Sequence, residues 1–309
     1  IDYITTTFDM ADTDYEREFR KELQTDGMVA SGPFLDIGGS YETGHSLREL
    51  IQAQKASVLF ERLEPVAEKE RELKLDRPLY QHQETAMLKA GKGENLVVTT
   101  GTGSGKTESF LLPIINHLLR EQEAGTLSAG VRAIIIYPMN ALANDQMKRM
   151  RALFKNYPQI CYGVYNGNTE HTQSKALAEY HRTYHDETGE PTDPAPNEII
   201  SREVMQERPP HILITNYSML EYMMLRPKDD AVFSGAKLKF IVLDEAHIYK
   251  GATGMETSLL MRRLRARISE PDSVQYILTS ATLGGPDADG DILSFAEKLC
   301  GVAFQRSGI

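Results

Sequence analysis

From residue 78 onward, short runs of consecutive apolar residues alternate with longer stretches in which apolar positions recur at helical spacing. The runs fall at 95–99 (NLVVT), 131–137 (VRAIIIY), 160–165 (ICYGVY), 211–215 (HILIT), 238–243 (LKFIVL) and 274–278 (VQYIL). Each is rich in β-branched residues and nearly continuous in apolar character, the pattern of strands covered on both faces. Helical patterning follows at 106–122, 141–156, 218–225, 255–269 and 291–299. This alternation predicts an α/β fold, a mainly parallel sheet with helices on both faces and right-handed crossovers.

The first 75 residues read differently. They are charged, with helical patterning at 14–24 and from 46 to about 73, where Leu47, Leu50 and Ile51 recur, and with turn-rich pieces at Ser31-Gly32-Pro33 and Gly38-Gly39-Ser40. The expected organisation is therefore a helical lead-in over 1–75 and an α/β domain over 76–309. One segment breaks the alternation. Residues 166–210 are polar, hold the turn-rich stretch GEPTDPAP at 189–196, and show one helical pattern at 173–184. A connection this long reads as a surface excursion with a functional purpose.

The chemistry begins at Thr99-Thr100-Gly101-Thr102-Gly103-Ser104-Gly105-Lys106-Thr107, placed between an expected strand and an expected helix. That is the context of a phosphate-binding loop. Glycines allow backbone N–H groups to curl around an anion, and the helix N-terminus adds partial positive charge. Thr102, Gly103, Ser104, Gly105, Lys106 and Thr107 are the expected ATP-binding residues. Lys106 reaches the β/γ-phosphates and Thr107 ligates Mg²⁺. The loop departs from the usual spacing in one place, since Thr100 stands where the first glycine is customary.

The second signal is Asp244-Glu245-Ala246-His247 at the end of the apolar run 240–243. Ligands of open α/β sheets bind outside the strand C-termini, where these carboxylates lie. Asp244 is the expected Mg²⁺ partner and Glu245 the residue that orients or deprotonates the attacking water. An N-cap and a solvated turn is the plainer reading of two acids after a strand, and the phosphate loop argues against it.

Taken with Ser280-Ala281-Thr282 after the next run, TGTGSGKT and DEAH resemble the first RecA-like motor domain of superfamily 2 helicases. Leu79-Tyr80-Gln81-His82-Gln83 is similar to the Q motif, which implies that Gln83 reads the adenine edge. Tyr137-Pro138-Met139-Asn140-Ala141-Leu142 resembles motif Ia, and Thr215-Asn216-Tyr217 a later nucleic-acid-contact motif that usually has Pro in third place. GKTESF and DEAHIYKGATG with its Arg-rich helix look like one subgroup, the large bacterial helicases of the YprA/MrfA repair type and the Druantia-type anti-phage defence proteins. The resemblance implies an ATP-driven, 3′→5′ DNA motor. It also implies that His247, with Ser280 and Thr282, couples hydrolysis to domain movement, and that a second RecA-like domain completes the ATP site with arginine fingers. Only ten residues follow Leu299, so that domain is expected to be absent from this chain and the chain alone to hydrolyse ATP negligibly.

Position at strand ends makes Asn140, Thr215 and Asn216 candidate contacts to a DNA backbone. Lys148, Arg149 and Arg151 form either a phosphate-tracking edge or a solvated helix face. Arg262, Arg263, Arg265 and Arg267 cannot share one face, so part of the set is expected in structural ion pairs and the rest on DNA or a partner domain. His181 and His185, with His171 upstream, have metal-compatible spacing but no nearby cysteine, and exposed histidines are the favoured reading. Met219, Met223 and Met224 read as core packing.

Overall composition sets bounds. Of 309 residues, 34 are Lys or Arg and 44 Asp or Glu, a net charge of −10 that leaves room only for a local basic groove. No apolar run is long enough to span a membrane. The two separated cysteines, Cys161 and Cys300, fit a reducing cytoplasm. Chain position 1 is Ile, and 1–34 lacks the pattern of a signal peptide, as expected of a fragment or processed product. The leading reading is thus one half of a DNA-dependent ATPase motor, with repair or defence proteins as partners. An RNA track, an ATP-dependent recruitment switch and a metal nuclease are the alternatives.

Overall fold

The apolar runs form the strands of one parallel sheet, and side-chain burial explains why they lack polar alternation. The computed structural model describes residues 1–8, 12–25, 27–29, 41–63, 73–101, 103–185, 188–281 and 289–305. Thr102, Thr282, the turn-rich pieces at 31–33 and 38–40, and the expected helical residues 64–72 lie outside them. Two compact units form, Ile1–Ser40 and Tyr41–Ile309. The first holds helices α1 (Asp2–Thr7) and α2 (Thr13–Leu23). Asp12 caps α2 by accepting from the Asp14 and Tyr15 amides.

In the second unit, β1 (Thr43–Ser46) pairs antiparallel with β2 (Pro78–Tyr80). The large sheet holds β3 (Leu96–Thr99), β4 (Ala133–Ile136), β5 (Tyr162–Val164), β6 (Glu198–Ile199), β7 (Ile212–Thr215), β8 (Phe240–Leu243) and β9 (Gln275–Ser280). Its spatial order is β3-β9-β8-β4-β7-β5-β6, with all neighbours parallel. Residues of each central strand alternate between two cores. Ala133, Ile135, Ile212, Ile214, Phe240, Val242 and Ile277 face one, while Ile134, Ile136, Leu213, Ile241, Leu243, Tyr276 and Leu278 face the other. Covering helices finish both sides. The order along the chain is α3 (Leu47–Gln52), α4 (Gln81–Gly91), α5 (Lys106–Glu123), α6 (Asn140–Phe154), α7 (Gln173–Thr183), α8 (Arg202–Glu207), α9 (Tyr217–Leu225), α10 (Asp230–Ser234), α11 (Gly251–Arg267) and α12 (Asp289–Cys300). Helices α4, α5 and α6 line the first core, and α9 to α12 the second. Met219 and Met223 are buried there and Met224 packs at its margin, as periodicity predicts.

Two stretches differ from the sequence pattern. The helix expected from residue 46 stops at Gln52, because Gln54 takes a left-handed backbone (φ 59°) and the Lys55 amide donates back to the Leu50 carbonyl. A 3₁₀ turn, Val58–Leu63, follows. The polar excursion 166–210 is not a simple surface loop. It carries α7 as expected, but also β6, the edge strand of the sheet, and α8. The polar side chains it does bury, among them Asn197 and Glu198, have hydrogen-bond partners. The Arg151 guanidinium donates to Glu198 through Nε at 2.8 Å and Nη2 at 2.6 Å. The Asn197 amide donates to the carbonyls of Phe154, Tyr157 and Ile160. Among the described residues no helix is long and apolar enough to cross a membrane.

The Glu198 side chain is 1% exposed, so removing its partner leaves a charge with no water to solvate it. Arg151→Ala is expected to cost about 3 kcal/mol in urea unfolding. Amide exchange should rise first in β5 and β6, and an unchanged urea midpoint would show that the pair does not hold the edge.

Candidate functional site

Strand order decides which residues meet. The loop after β3 and the residues after β8 flank the end of β9, so three stretches distant in sequence converge on one edge. Gly103 (φ 77°) and Gly105 (φ 74°) bend the first loop with left-handed backbone that side chains disfavour. Its carbonyls are held from behind. His82 Nε2 lies 3.1 Å from the Ser104 carbonyl, and Gln83 Nε2 donates to the Gly105 carbonyl at 3.0 Å. Burial holds the His82 pKa below the usual histidine range, although the Ser104 carbonyl and Glu108 pull it upward. The Gln83 Oε1 accepts the Tyr80 amide at 3.0 Å, so this side chain braces the loop with both ends. Ser104 is fully buried, with its hydroxyl 2.6 Å from that of Thr100. The residue in the unusual position is thus part of the loop's internal bonding.

Lys106 opens α5, and its ammonium is buried without a hydrogen-bond partner. Its nearest carboxylate oxygen is Glu245 Oε1 at 3.8 Å. An orphaned buried cation at the start of a helix, behind a glycine-bent loop, is an arrangement that a polyphosphate satisfies, so the residues present fit ATP. Thr107 follows on the first turn of α5.

Glu245 takes a left-handed backbone (φ 49°), which for a glutamate costs of order 1 kcal/mol and aims its carboxylate back along the edge. That carboxylate lies between Lys106 and His247, whose Nδ1 is 3.3 Å from Glu245 Oε2 and 3.2 Å from the Ser280 hydroxyl. Asp244 accepts a hydrogen bond from the Thr279 hydroxyl. Burial pushes the Asp244 carboxyl above the usual aspartate range; the Thr279 bond opposes this and the Glu245 charge adds to it. Sequence reasoning missed Thr279 and gave no role to Tyr137, the first residue of the motif Ia stretch, whose buried hydroxyl has no partner and whose pKa is raised by burial and by the Asp244 charge. A hydroxyl at the end of an otherwise apolar strand was the available signal for Thr279.

The second half of the edge follows β4, β7 and β5. Asn140 and Asn216, 76 positions apart, meet through an amide–amide hydrogen bond of 3.0 Å. Asn216 also caps α9 by accepting from the Met219 amide. Thr215 is buried, and its hydroxyl donates to the Tyr165 carbonyl at 2.7 Å. Lys148 points outward, 69% exposed, beside Asp145. Arg149 instead turns inward to Glu108 on the first turn of α5, and Arg151 to Glu198. The arginines of α11 are all engaged within the chain. Arg262 donates to the Ser258 and Lys298 carbonyls, Arg263 pairs with Glu221, Arg265 with Asp272 and Arg267 with Asp230. His181 pairs with Asp193 at 2.7 Å, and the described residues contain no group of three or more His, Cys, Asp or Glu able to hold a metal.

The DEAD/DEAH box helicase family model matches residues 80–187 and 185–289, and the chain belongs to that family. Druantia protein DruE of Escherichia coli (strain UMEA 4076-1) is 34% identical over 97% of the chain and 21% of its own length. The uncharacterized ATP-dependent helicase YprA of Bacillus subtilis (strain 168) is 30% identical over 70% of the chain and 24% of its length. The chain therefore spans about a fifth to a quarter of these relatives. Among solved structures, the DUF1998 helicase MrfA superposes with a TM-score of 0.55 at 27% identity, covering 79% of this chain and 32% of that one. The DEAD-box helicase Mss116 bound to ssRNA and UDP-BeF shares the fold alone, with a TM-score of 0.61 at 18% identity over 84% of this chain and 44% of that one. The chain carries the RecA-like, ATP-binding motor module of a superfamily 2 helicase, related to the YprA, MrfA and Druantia-type proteins.

A carboxyl whose pKa is raised on folding binds its proton more tightly in the native state. Its ionised form then costs stability above the folded pKa, and the cost is absent below the ordinary value of 3.8. Asp244→Asn should therefore melt at a higher temperature than wild type at pH 7, with the difference narrowing toward pH 4. A variant melting lower at pH 7 would contradict this account of the site.

Proposed function

We propose that this module drives 3′→5′ movement of a longer protein along DNA, binding ATP at the Lys106 loop and one nucleic-acid strand at the Asn140–Asn216 edge. The observation that carries the reading is the line of contacts Lys106–Glu245–His247–Ser280, at 3.8, 3.3 and 3.2 Å. A module that only binds nucleotide has no use for an acid placed between the phosphate-binding lysine and a histidine that touches the neighbouring strand.

In this reading Lys106 holds the β/γ-phosphates, with the backbone amides of Gly103, Ser104 and Gly105 around them. Thr107 and Asp244 would hold Mg²⁺, which would supply charge neutralisation on the phosphates. Glu245 orients a water and takes its proton. His247 senses the state of Glu245 and passes it to Ser280, and through that strand end to a second motor domain of the longer protein. Gln83 braces the loop with both ends of its amide, and to read the adenine edge, as the resemblance implies, it would exchange one of those two bonds for the base. Residues 1–75 would act as an accessory lead-in to this motor.

Asn140 and Asn216 present amide groups to a phosphate backbone, with Lys148 adding charge and the Thr215 hydroxyl bracing the strand end behind them. Arg149 contributes through Glu108 rather than by facing the strand. DNA is favoured as the track because MrfA has been captured bound to DNA, and the resemblance to YprA/MrfA-type and Druantia-type helicases implies DNA repair or anti-phage defence in the cytoplasm. Backbone contacts alone do not read the sugar, so RNA is the competing track.

The test is ATP turnover by the full-length protein with single- and double-stranded DNA and RNA. DNA should stimulate wild type most. Glu245→Gln should bind ATP as before and lose at least about 100-fold in turnover. Stimulation by RNA alone would replace the DNA reading, and an active Glu245→Gln variant would overturn the role of that acid.

A further inference from the structure

The excursion 166–210 builds a cleft that the ATP site does not use. Its cavity of about 370 Å³, within the range of small-ligand pockets, is bounded by α6, α7, the turn after β5 and strand β6. Asn140, Asn144, Met147 and Arg151 recur at helical spacing on α6, and the last three line the cavity. Asn144 stands one turn, about 6 Å, beyond Asn140. The same helix face therefore runs from the strand-end edge into the cleft.

The cleft's chemistry is specific. Tyr180 and Tyr184 have ring centroids 4.5 Å apart, and the Arg151 guanidinium lies 4.3 Å from the Tyr184 ring. Glu198 fixes that guanidinium and also accepts from the Tyr180 hydroxyl at 3.3 Å, so the aromatic wall is rigid. The opposite rim is prebuilt as well. The Asn168 amide donates to Asn166 Oδ1 at 2.9 Å, Thr169 donates to the Val164 carbonyl at 2.8 Å, and buried Arg202 donates to the Asn166 carbonyl at 2.8 Å. Lining carboxylates outnumber the single guanidinium. Glu198 offsets Arg151 and Glu179 pairs with Arg182, which leaves Glu170. A phosphate is repelled by that balance, whereas the amino group of a base finds an acceptor in Glu170 and an aromatic surface in half-buried Tyr184, which Tyr180 backs.

We infer that this cleft receives one nucleobase, turned out of the strand held at the Asn140–Asn216 edge, with preference for amino-bearing bases. The inference rests on the nucleic-acid reading of that edge. Its occupant is a neutral, planar, amino-bearing ring whose phosphates stay outside the cleft.

The experiment uses the full-length protein and fluorescently labelled single-stranded 20-mers in which one nucleotide at a time is abasic with its phosphates kept. Wild type should lose about tenfold in affinity at one register and little at its neighbours, the scale of one base–aromatic stack. Tyr184→Ala should weaken the intact strand similarly and erase the register dependence. Glu170→Gln, which keeps the volume, should narrow the preference for oligo-dC and oligo-dA over oligo-dT. A uniform abasic effect, or wild-type behaviour of a folded Tyr184→Ala, would overturn the inference. So would loss of oligoarginine-peptide binding in Tyr184→Ala with strand affinity unchanged, since the cleft would then be a socket for a basic protein side chain. If wild type binds no strand and Asn140→Ala changes nothing, the edge reading itself fails.

Discussion

Lys106 places its amino group where the described residues give it no hydrogen bond and one carboxylate oxygen at 3.8 Å. A buried charge so poorly matched is expensive, and a chain selected for stability alone would not hold it there. The rest of the edge is arranged around that cation. Gly103 and Gly105 turn their backbone into a conformation that clears space for an anion. Glu245 adopts a strained backbone that places its carboxylate near the lysine without closing on it. Asp244 is buried to the point that its own ionisation is opposed. Each feature is unfavourable alone, and a bound polyphosphate would offset them together.

The sheet order converts these local tensions into a layout. Strands β3, β9 and β8 are consecutive in space and carry the phosphate loop, the Thr279–Ser280 pair and the two acids. Strands β4, β7 and β5 continue the same edge and carry Asn140, Asn216 and the Asn166 turn. The boundary falls between β8 and β4, where the Asp244 amide donates to the Ile136 carbonyl. Arg149 bridges the halves a second time, linking the helix that starts at Asn140 to the residue after Thr107 through Glu108. On the proposed reading, nucleotide and strand would share one row of backbone and one ion pair, which would couple them physically.

What could be read from the sequence was what spacing encodes. The phosphate loop, the acids after β8 and the two-faced strands depend on near neighbours in the chain, and all were legible. Side-chain direction was not. Arg149 and Arg151 have surface-helix spacing, yet both turn toward glutamates 41 and 47 positions away. The edge strand at Glu198 was hidden because its polar residues are satisfied by a guanidinium and three carbonyls that no local pattern announces. Thr279 escaped notice for the same reason, since its partner Asp244 is brought near only by the β8–β9 pairing. For the arginines of α11 the spacing announced some structural ion pairs, and the structure engages all four within the chain.

If Lys106 sits in an unfavourable place that a polyphosphate relieves, thermal unfolding of Lys106→Met with and without Mg–ATP will reveal it. The variant should melt at a higher temperature than wild type in the absence of nucleotide. It should also lose the stabilisation that Mg–ATP gives wild type, which is about 2.7 kcal/mol at a hundred times Kd. A variant that melts lower than wild type, or that keeps the full response to Mg–ATP, would contradict the account.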